Sequence, residues 1–327
     1  MIHGMITQLD GAVSALQTLT YVDVVQPVFY RLGLMRYGED TFDALYGVIV
    51  GVLEILLTYV LLRPMEALRP IEAWQDRKAL RADVIYTWIA KLGILNLVFF
   101  VVLQPFFDHL QGLMSIYNVP SIDLDNLWPG VTSRPDVSFL IYLVVLDFAG
   151  YWYHRWQHKI GIWWELHAVH HSQRQMSLWS DDRNHFLDDM IQAAFFAALS
   201  LLIGVSPIQF VVLVAGTNFM QSVQHVNGKL PYGRVLERVI VSPIFHRRHH
   251  AIGYGHEGTH YGCNFGVLFP WWDMLFRTVS WDSTVEPTGI RSQLPEPQGS
   301  SRCYGDSLWA QQWSAFGRIA ARLRGHH

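Results

Sequence analysis

Charge is scarce in this chain of 327 residues: Asp, Glu, Lys and Arg together make up 16%. Soluble domains carry about 25%. With 51% hydrophobic residues and a mean hydropathy of +0.17, the deficit excludes an ordinary water-soluble surface and points to a membrane protein. Basic residues are not in excess, the net charge being −3, so nucleic acid is not an expected partner. Cysteine is almost missing. Cys263 and Cys303 make no C-x-x-C pair and imply no disulfide framework. The first residues lack the basic start and apolar run of a secretory signal. No haem-binding or flavin-binding domain is evident, so an oxidative chemistry here would need electrons from outside.

What the chain has in quantity is histidine, 16 residues, and it is clustered. His154 and His158 form H-x-x-x-H. His167, His170 and His171 form H-x-x-H-H, and His246, His249 and His250 repeat it. Residues three or four apart share a helix face, with Cβ atoms about 5–6 Å apart. Two imidazoles so placed can reach one metal ion, whose bonds to nitrogen are about 2.0–2.1 Å. Three such sets exceed what one ion needs, so the spacing predicts a site for two ions with nitrogen ligands only. A lone histidine is more often a satisfied core or surface residue; eight in three boxes are not. His256 and His260 also stand four apart, but in a glycine-rich loop, and are not expected to bind metal.

The apolar runs predict an all-α, polytopic membrane protein of about four transmembrane helices. Residues 44–62 make the first span, stopped by Arg63-Pro64, and 84–104 the second. The connection between them carries Arg63, Arg69, Arg77, Lys78 and Arg81, which marks it cytoplasmic. The acidic connection 105–138 faces the other side and is part re-entrant over 110–117. Residues 139–153 make the third span and deliver His154 to the cytoplasmic edge. The block 190–223 is too long for one span, and Gly204-Val205-Ser206-Pro207 divides it, so the last two spans form a hairpin. Every histidine box then falls on one face, in a cytoplasmic helical cap. Three regions follow: an N-terminal helical or interfacial segment 1–43, a membrane-embedded catalytic region 44–280, and a linker and amphipathic tail 281–327. The linker 281–301 is expected to be flexible, and the tail helix either lies on the membrane surface or packs on the cap. Asp147, Tyr151, His154 and His158 lie on one stripe of the third span. An Asp there either supports the ligands from behind or pairs with Lys91 in the second span. The tryptophans around the boxes, Trp152 and Trp156 among them, either wall a lipid channel or form an interfacial belt.

The boxes, set among hydrophobic helices, resemble the fatty acid hydroxylase/sterol desaturase superfamily. The likeness runs from about residue 139 to 278. It includes Asp147 to His158, Ser242-Pro243 before His246, the region of Asn264, and the ending Trp272-Asp273-x-Leu275-Phe276-x-Thr278. It implies an integral membrane enzyme with two iron ions, though zinc can replace iron on isolation. Such an enzyme uses O2 and an external electron donor to hydroxylate or desaturate lipid carbons. It implies that the eight boxed histidines are ligands and adds His225 and His185. At His185 relatives have a following Pro where this chain has Phe186. Asp147, Tyr151 and Asn264 become supporting residues of the site. The expected partners are a membrane lipid (sterol-like, fatty acyl, ether lipid or carotenoid) and a small electron-carrier protein with its reductase. The carrier is expected to dock near Arg247, Arg248 and the basic tail. Hydroxylation is the expected reaction and desaturation the alternative. Two readings of other classes are a haem electron-transfer protein with two His ligands and a zinc-stabilised membrane protein without redox chemistry. Adjacent His170-His171 speaks against the haem, which needs one His on each face.

Overall fold

The structure is a computed structural model that describes residues 2–73, 77–119, 122–230, 232–295 and 297–325. Among these residues no strand forms; one isolated antiparallel bridge joins Ala251 to Thr288. The N-terminal segment holds helices α1 (Ile2–Thr20) and α2 (Gln26–Leu32) and turns into α3 (Gly38–Leu68). α1 packs along α3, where the Gln17 amide donates to the Phe42 carbonyl.

α3 outruns the apolar stretch that announces it. The stop expected at Arg63-Pro64 does not occur, and Pro64 lies inside the helix. A proline there forfeits one backbone hydrogen bond. The following turn is held from outside: the buried Glu66 carboxylate accepts the Leu178 and Asn227 amides at 2.8 and 3.0 Å.

The second apolar run is not one continuous helix as expected. α4 (Arg77–Lys91) ends at Leu92-Gly93, Gly93 takes φ +71°, and α5 (Ile94–Ile116) follows. The Lys91 carbonyl rests against Gly51 of α3, where any Cβ would collide with it. Its ammonium pairs with Glu54 at 2.7 Å and approaches Asp182 at 3.9 Å. A cation in apolar surroundings needs such partners, and they hold the chain at the break. Pairing of Lys91 with Asp147 is therefore excluded. α5 continues through Pro105, so residues 110–116, expected to be re-entrant, are its last turns.

α6 (Pro135–Lys159) leads into α7 (Gly161–His171), and α8 (Phe186–Ile203) with α9 (Pro207–His225) forms the predicted hairpin. The hairpin turns at Gly204, φ +74°, and the Ser206 side chain caps α9. Among the described residues Met35–Leu68, α6 and α8 are long and apolar enough to cross a membrane.

The cap gathers the adjoining ends of α3, α4, α6, α8 and α9, with α10 (Gly233–Leu236), α11 (Pro243–His249), α12 (Trp271–Phe276) and α13 (Leu308–Leu323). The Asn227 side-chain oxygen accepts the Ile71 and Glu72 backbone amides and ties the α3–α4 connection to the end of α9. α13 packs on α7, and the buried Arg318 donates to the Glu165 carboxylate at 3.1 Å and to its carbonyl at 2.7 Å. Within 281–301, expected to be a flexible Ser/Pro/Gly linker, residues 287–293 are held against the cap. The Ile252 amide donates to Pro287, the Gly289 amide to His250, and the Gln293 side chain to Ser172.

Candidate metal centre

Four helices bring nine histidines together. α6 carries His154 and His158 on its last turns, α7 carries the second box, α9 ends on His225, and α11 with its cap residue carries the third box. The rings sort into two groups, each with ligand atoms within 4.8 Å of one another. One group is His154, His158, His167, His171 and His249; the other is His170, His225, His246 and His250. The H-x-x-H-H box produces this split. Its first and fifth residues share a helix face, and the fourth is turned about 100° from its neighbour. Thus α7 gives two rings to the first group and one to the second, and α11 gives the reverse. The groups touch where His171 stacks on His250, with ring centroids 4.4 Å apart.

Hydrogen bonds set the tautomers of the first group. The Nδ1 atoms of His154, His158 and His249 lie 3.0, 3.1 and 2.7 Å from the carbonyls of Phe265, Tyr261 and Cys263. A carbonyl can only accept, so each Nδ1 carries the proton and each Nε2 keeps its lone pair. His167 Nδ1 meets Asp188, and His225 Nδ1 meets the Gln221 carbonyl. The Nε2 atoms of His154, His167 and His249 are buried without any hydrogen-bond partner, as are the Nδ1 atoms of His170, His246 and His250. An unpaired buried polar atom is costly and rare. In the second group it is the Nε2 atoms that converge, and the three Nδ1 atoms lie on the far side of their rings. The three Nε2 atoms of the first group call for a cation.

The spacing fits one. Nε2 atoms face each other at 3.1 Å between His158 and His171, 3.2 Å between His170 and His225, and 3.1 Å between His225 and His246 and between His246 and His250. Two nitrogens on one ion, each about 2.1 Å away, sit roughly 3.0–3.4 Å apart. Burial first, then the neighbouring rings, keeps His170, His171, His246 and His250 well below the ordinary imidazole range. Burial likewise holds His249 down at about 3. The rings are therefore neutral at pH 7, the form that binds a metal.

The accepting carbonyls come from one loop. Tyr261, Cys263 and Phe265 alternate along the chain and so turn their carbonyls the same way. Tyr261 and Asn264 take left-handed φ values of 61° and 58° to do it. Asn264 tolerates that conformation best after glycine. Its amide donates to Phe245 and Ser280, and its oxygen accepts the Ser280 amide. Asp147 accepts the Leu268 and Phe269 amides and the Trp272 indole. The Tyr151 hydroxyl meets that of Thr278, which donates to Asp273. Asp147, Tyr151 and Asn264 thus hold the carbonyl loop and touch no imidazole of the two groups through a hydrogen bond.

His185 lies outside both groups. Its Nδ1 accepts the Leu187 amide and its Nε2 meets the Gln312 carbonyl of α13. His256 is stacked on Trp164 at 3.4 Å and also lies outside the groups. Asp188 and Asp181 were not singled out in the sequence. Asp188 takes Gln157, Trp163 and His167, and Asp181 lies 3.5 Å from His225 and accepts Ser222. The runs Asp181-Asp182 and Asp188-Asp189, placed just before an apolar block, were the visible signal.

A cavity of about 430 Å³ opens on the cap face beside the first group. Trp164, His171 and His256 lie in its wall, and Arg291, Arg302 and Arg322 line it as well. Arg247 and Arg248, expected to meet a carrier, are buried. Arg247 pairs with Glu72 at 2.6 Å, and Arg248 pairs with Asp282 at 2.9 Å and covers the Tyr254 ring. Helix position explains this: α11 is inside the cap, so the residues between its histidines point to protein.

The fatty acid hydroxylase family model matches residues 139–278, the stretch that contains every box and the carbonyl loop. The likeness to the fatty acid hydroxylase/sterol desaturase superfamily thus covers residues 139–278, less than half of the chain. An ornithine lipid hydroxylase of Rhizobium tropici is 30% identical over 136 residues, 42% of this chain and 40% of the relative. A Delta(7)-sterol 5(6)-desaturase of Gibberella zeae is 27% identical over 137 residues, 42% of this chain and 40% of the relative. Alkylglycerol monooxygenase of Danio rerio is 27% identical over 174 residues, 53% of this chain and 37% of the relative. The chain thus spans about two fifths of the length of these relatives. No solved structure matches it. Members of the fatty acid hydroxylase family are oxidoreductases that act on lipids. The nine rings that converge here all lie in the matched region.

Proposed function

We propose that this chain is an O2-dependent hydroxylase of a membrane lipid, with two iron ions held by the two histidine groups. The observation that carries the reading is the set of nine imidazoles whose ligand atoms converge in two groups at the ends of apolar helices. His154, His158, His167, His171 and His249 would hold one ion, and His170, His225, His246 and His250 the other. Nitrogen ligands suit iron, zinc and copper alike, so the metal rests on the chemistry of the family. Bound there, a pair of irons would supply the activation of O2 for attack on an unactivated C–H bond. The protein's own work is to keep the Nε2 atoms of His154, His158, His167 and His249 free, through the carbonyls of residues 265, 261 and 263 and through Asp188, and to exclude water from the rings. Haem fits poorly, since rings from different boxes lie 4.4–5.2 Å apart and leave no room for a macrocycle between them.

The five basic residues at the adjoining ends of α3 and α4 and in the turn between them support a cytoplasmic cap. The substrate is then an amphiphile of the inner leaflet whose reactive carbon reaches the headgroup side. Electrons come from a separate redox protein. Iron analysis after anaerobic preparation and mass spectrometry of lipid extracts from cells with and without the protein test the reading together. Two equivalents of iron and a lipid gaining one oxygen are expected. A product that loses two hydrogens makes the chain a desaturase. Absence of both products with iron present sinks the reading.

A further inference from the structure

α13 is apolar on both sides. Its inner face packs Ala315 and Ile319 on α7 and also carries polar anchors: Gln312 donates to the Tyr86 hydroxyl and the Asn184 carbonyl, and Arg318 binds Glu165 on α7. Its outer face is apolar. Trp309, Trp313, Phe316 and Leu323 follow the helical repeat and are 65%, 69%, 42% and 68% exposed. A surface helix normally turns its apolar stripe to the core.

The position of this face says what covers it. The Trp309 ring meets Phe186 edge-on at 6.3 Å, and Phe186 is the first residue of α8, one of the helices apolar enough to span a membrane. Phe186 accordingly marks the level where hydrocarbon gives way to headgroups. Two tryptophans at that level, with the exposed Arg324 at the helix end, match what an interface selects: amphipathic rings and cations.

We infer that α13 lies in the bilayer interface, its tryptophan face toward lipid and its inner face on the metal-ligand helix α7. It then fixes the depth of α7 through Arg318 and Glu165. The inference rests on the membrane-spanning reading of α8 and needs neither the metal nor the reaction.

Spin labelling of the full chain in lipid nanodiscs, one protein per disc, tests it. The background is C263S/C303S, with single labels at W313C, at L323C on the same face, and at S283C on an exposed polar stretch. Collision with O2, which concentrates in lipid, is compared with collision with a water-soluble nickel chelate. The O2-to-nickel ratio at W313C and L323C is expected to exceed that at S283C about fivefold or more, as for an interfacial helix. Equal ratios at all three positions would overturn the inference. So would low exposure to both reagents together with dipolar broadening in two-protein discs, which would assign the face to a second copy. If W313C does not fold, L323C alone decides.

Discussion

At the scale of single residues, the two histidine groups make separable predictions. His170→Ala removes a ring from the four-membered group and His249→Ala one from the five-membered group. Either is expected to abolish activity and to cost about one of the two bound ions, since a ligand set loses affinity steeply with each member. Membrane insertion should persist, because the helices satisfy their own backbone hydrogen bonds. His185→Ala separates position from ligation. It breaks the contacts to Leu187 and Gln312 and should lower thermal stability by about 1–3 kcal/mol, the usual cost of an orphaned buried group. Metal content should remain at the wild-type value. Metal analysis beside a melting curve distinguishes the two, and loss of an ion in the His185 variant would return it to the ligand set. Asn264 offers a second test. Asn264→Ala loses three side-chain hydrogen bonds and the tolerance for φ 58°, whereas Asn264→Gly restores only the backbone freedom. Both variants should bind metal about 10- to 100-fold more weakly, as is usual when the support behind a ligand is lost. Equal affinity in wild type and Asn264→Gly would show the carbonyl loop holds itself.

The elements show how far the sequence could be read. The boxes were legible because helical spacing is a local property: residues 246, 249 and 250 share a turn whatever surrounds them. The hairpin at Gly204 was legible for the same reason. Where helices end was not. Pro64 reads as a stop, yet the next turn is retained by Glu66 through residues 112 and 161 positions away in sequence. The break at Gly93 is likewise fixed by Gly51 and Glu54 of another helix. The order of 287–293 comes from contacts with the cap, which no composition announces. The elements also carry a pH prediction. His170, His171, His246, His249 and His250 stay neutral in the fold, whereas in the unfolded chain an imidazole takes a proton near pH 6.5. Between 6.5 and about 3, the value for His249, the unfolded state binds more protons than the folded one. Stability is therefore fully present above pH 6.5 and falls as pH falls through that window, by about 1.4 kcal/mol per pH unit for each such ring. The melting temperature of metal-stripped protein in detergent is expected to drop between about pH 7.5 and pH 5.5. A flat profile would mean that the folded rings accept protons freely.

For the whole molecule, the proposed function requires a route for electrons to a centre enclosed by nine rings. Helices apolar enough to cross a membrane cover one side of it. On the cap side Arg247 and Arg248 are buried in ion pairs, so reversing their charge should unfold the cap rather than weaken a partner. The cavity beside His171 is the alternative. Trp164 lies in its wall with ring centroids 5.0 Å from His158 and 5.3 Å from His171. Arg291 is half exposed at the cavity, and Arg302 is about one third exposed. An acidic carrier would meet these cations first, and contacts of that exposed kind govern encounter more than chemistry. R291E/R302E is expected to raise the KM for the carrier about 10-fold and to flatten its salt dependence, while kcat stays near the wild-type value. Turnover driven by a small chemical reductant should not change. If the carrier's KM is unmoved, or if the small reductant fails equally, the cavity is not the docking face and electrons enter elsewhere on the cap.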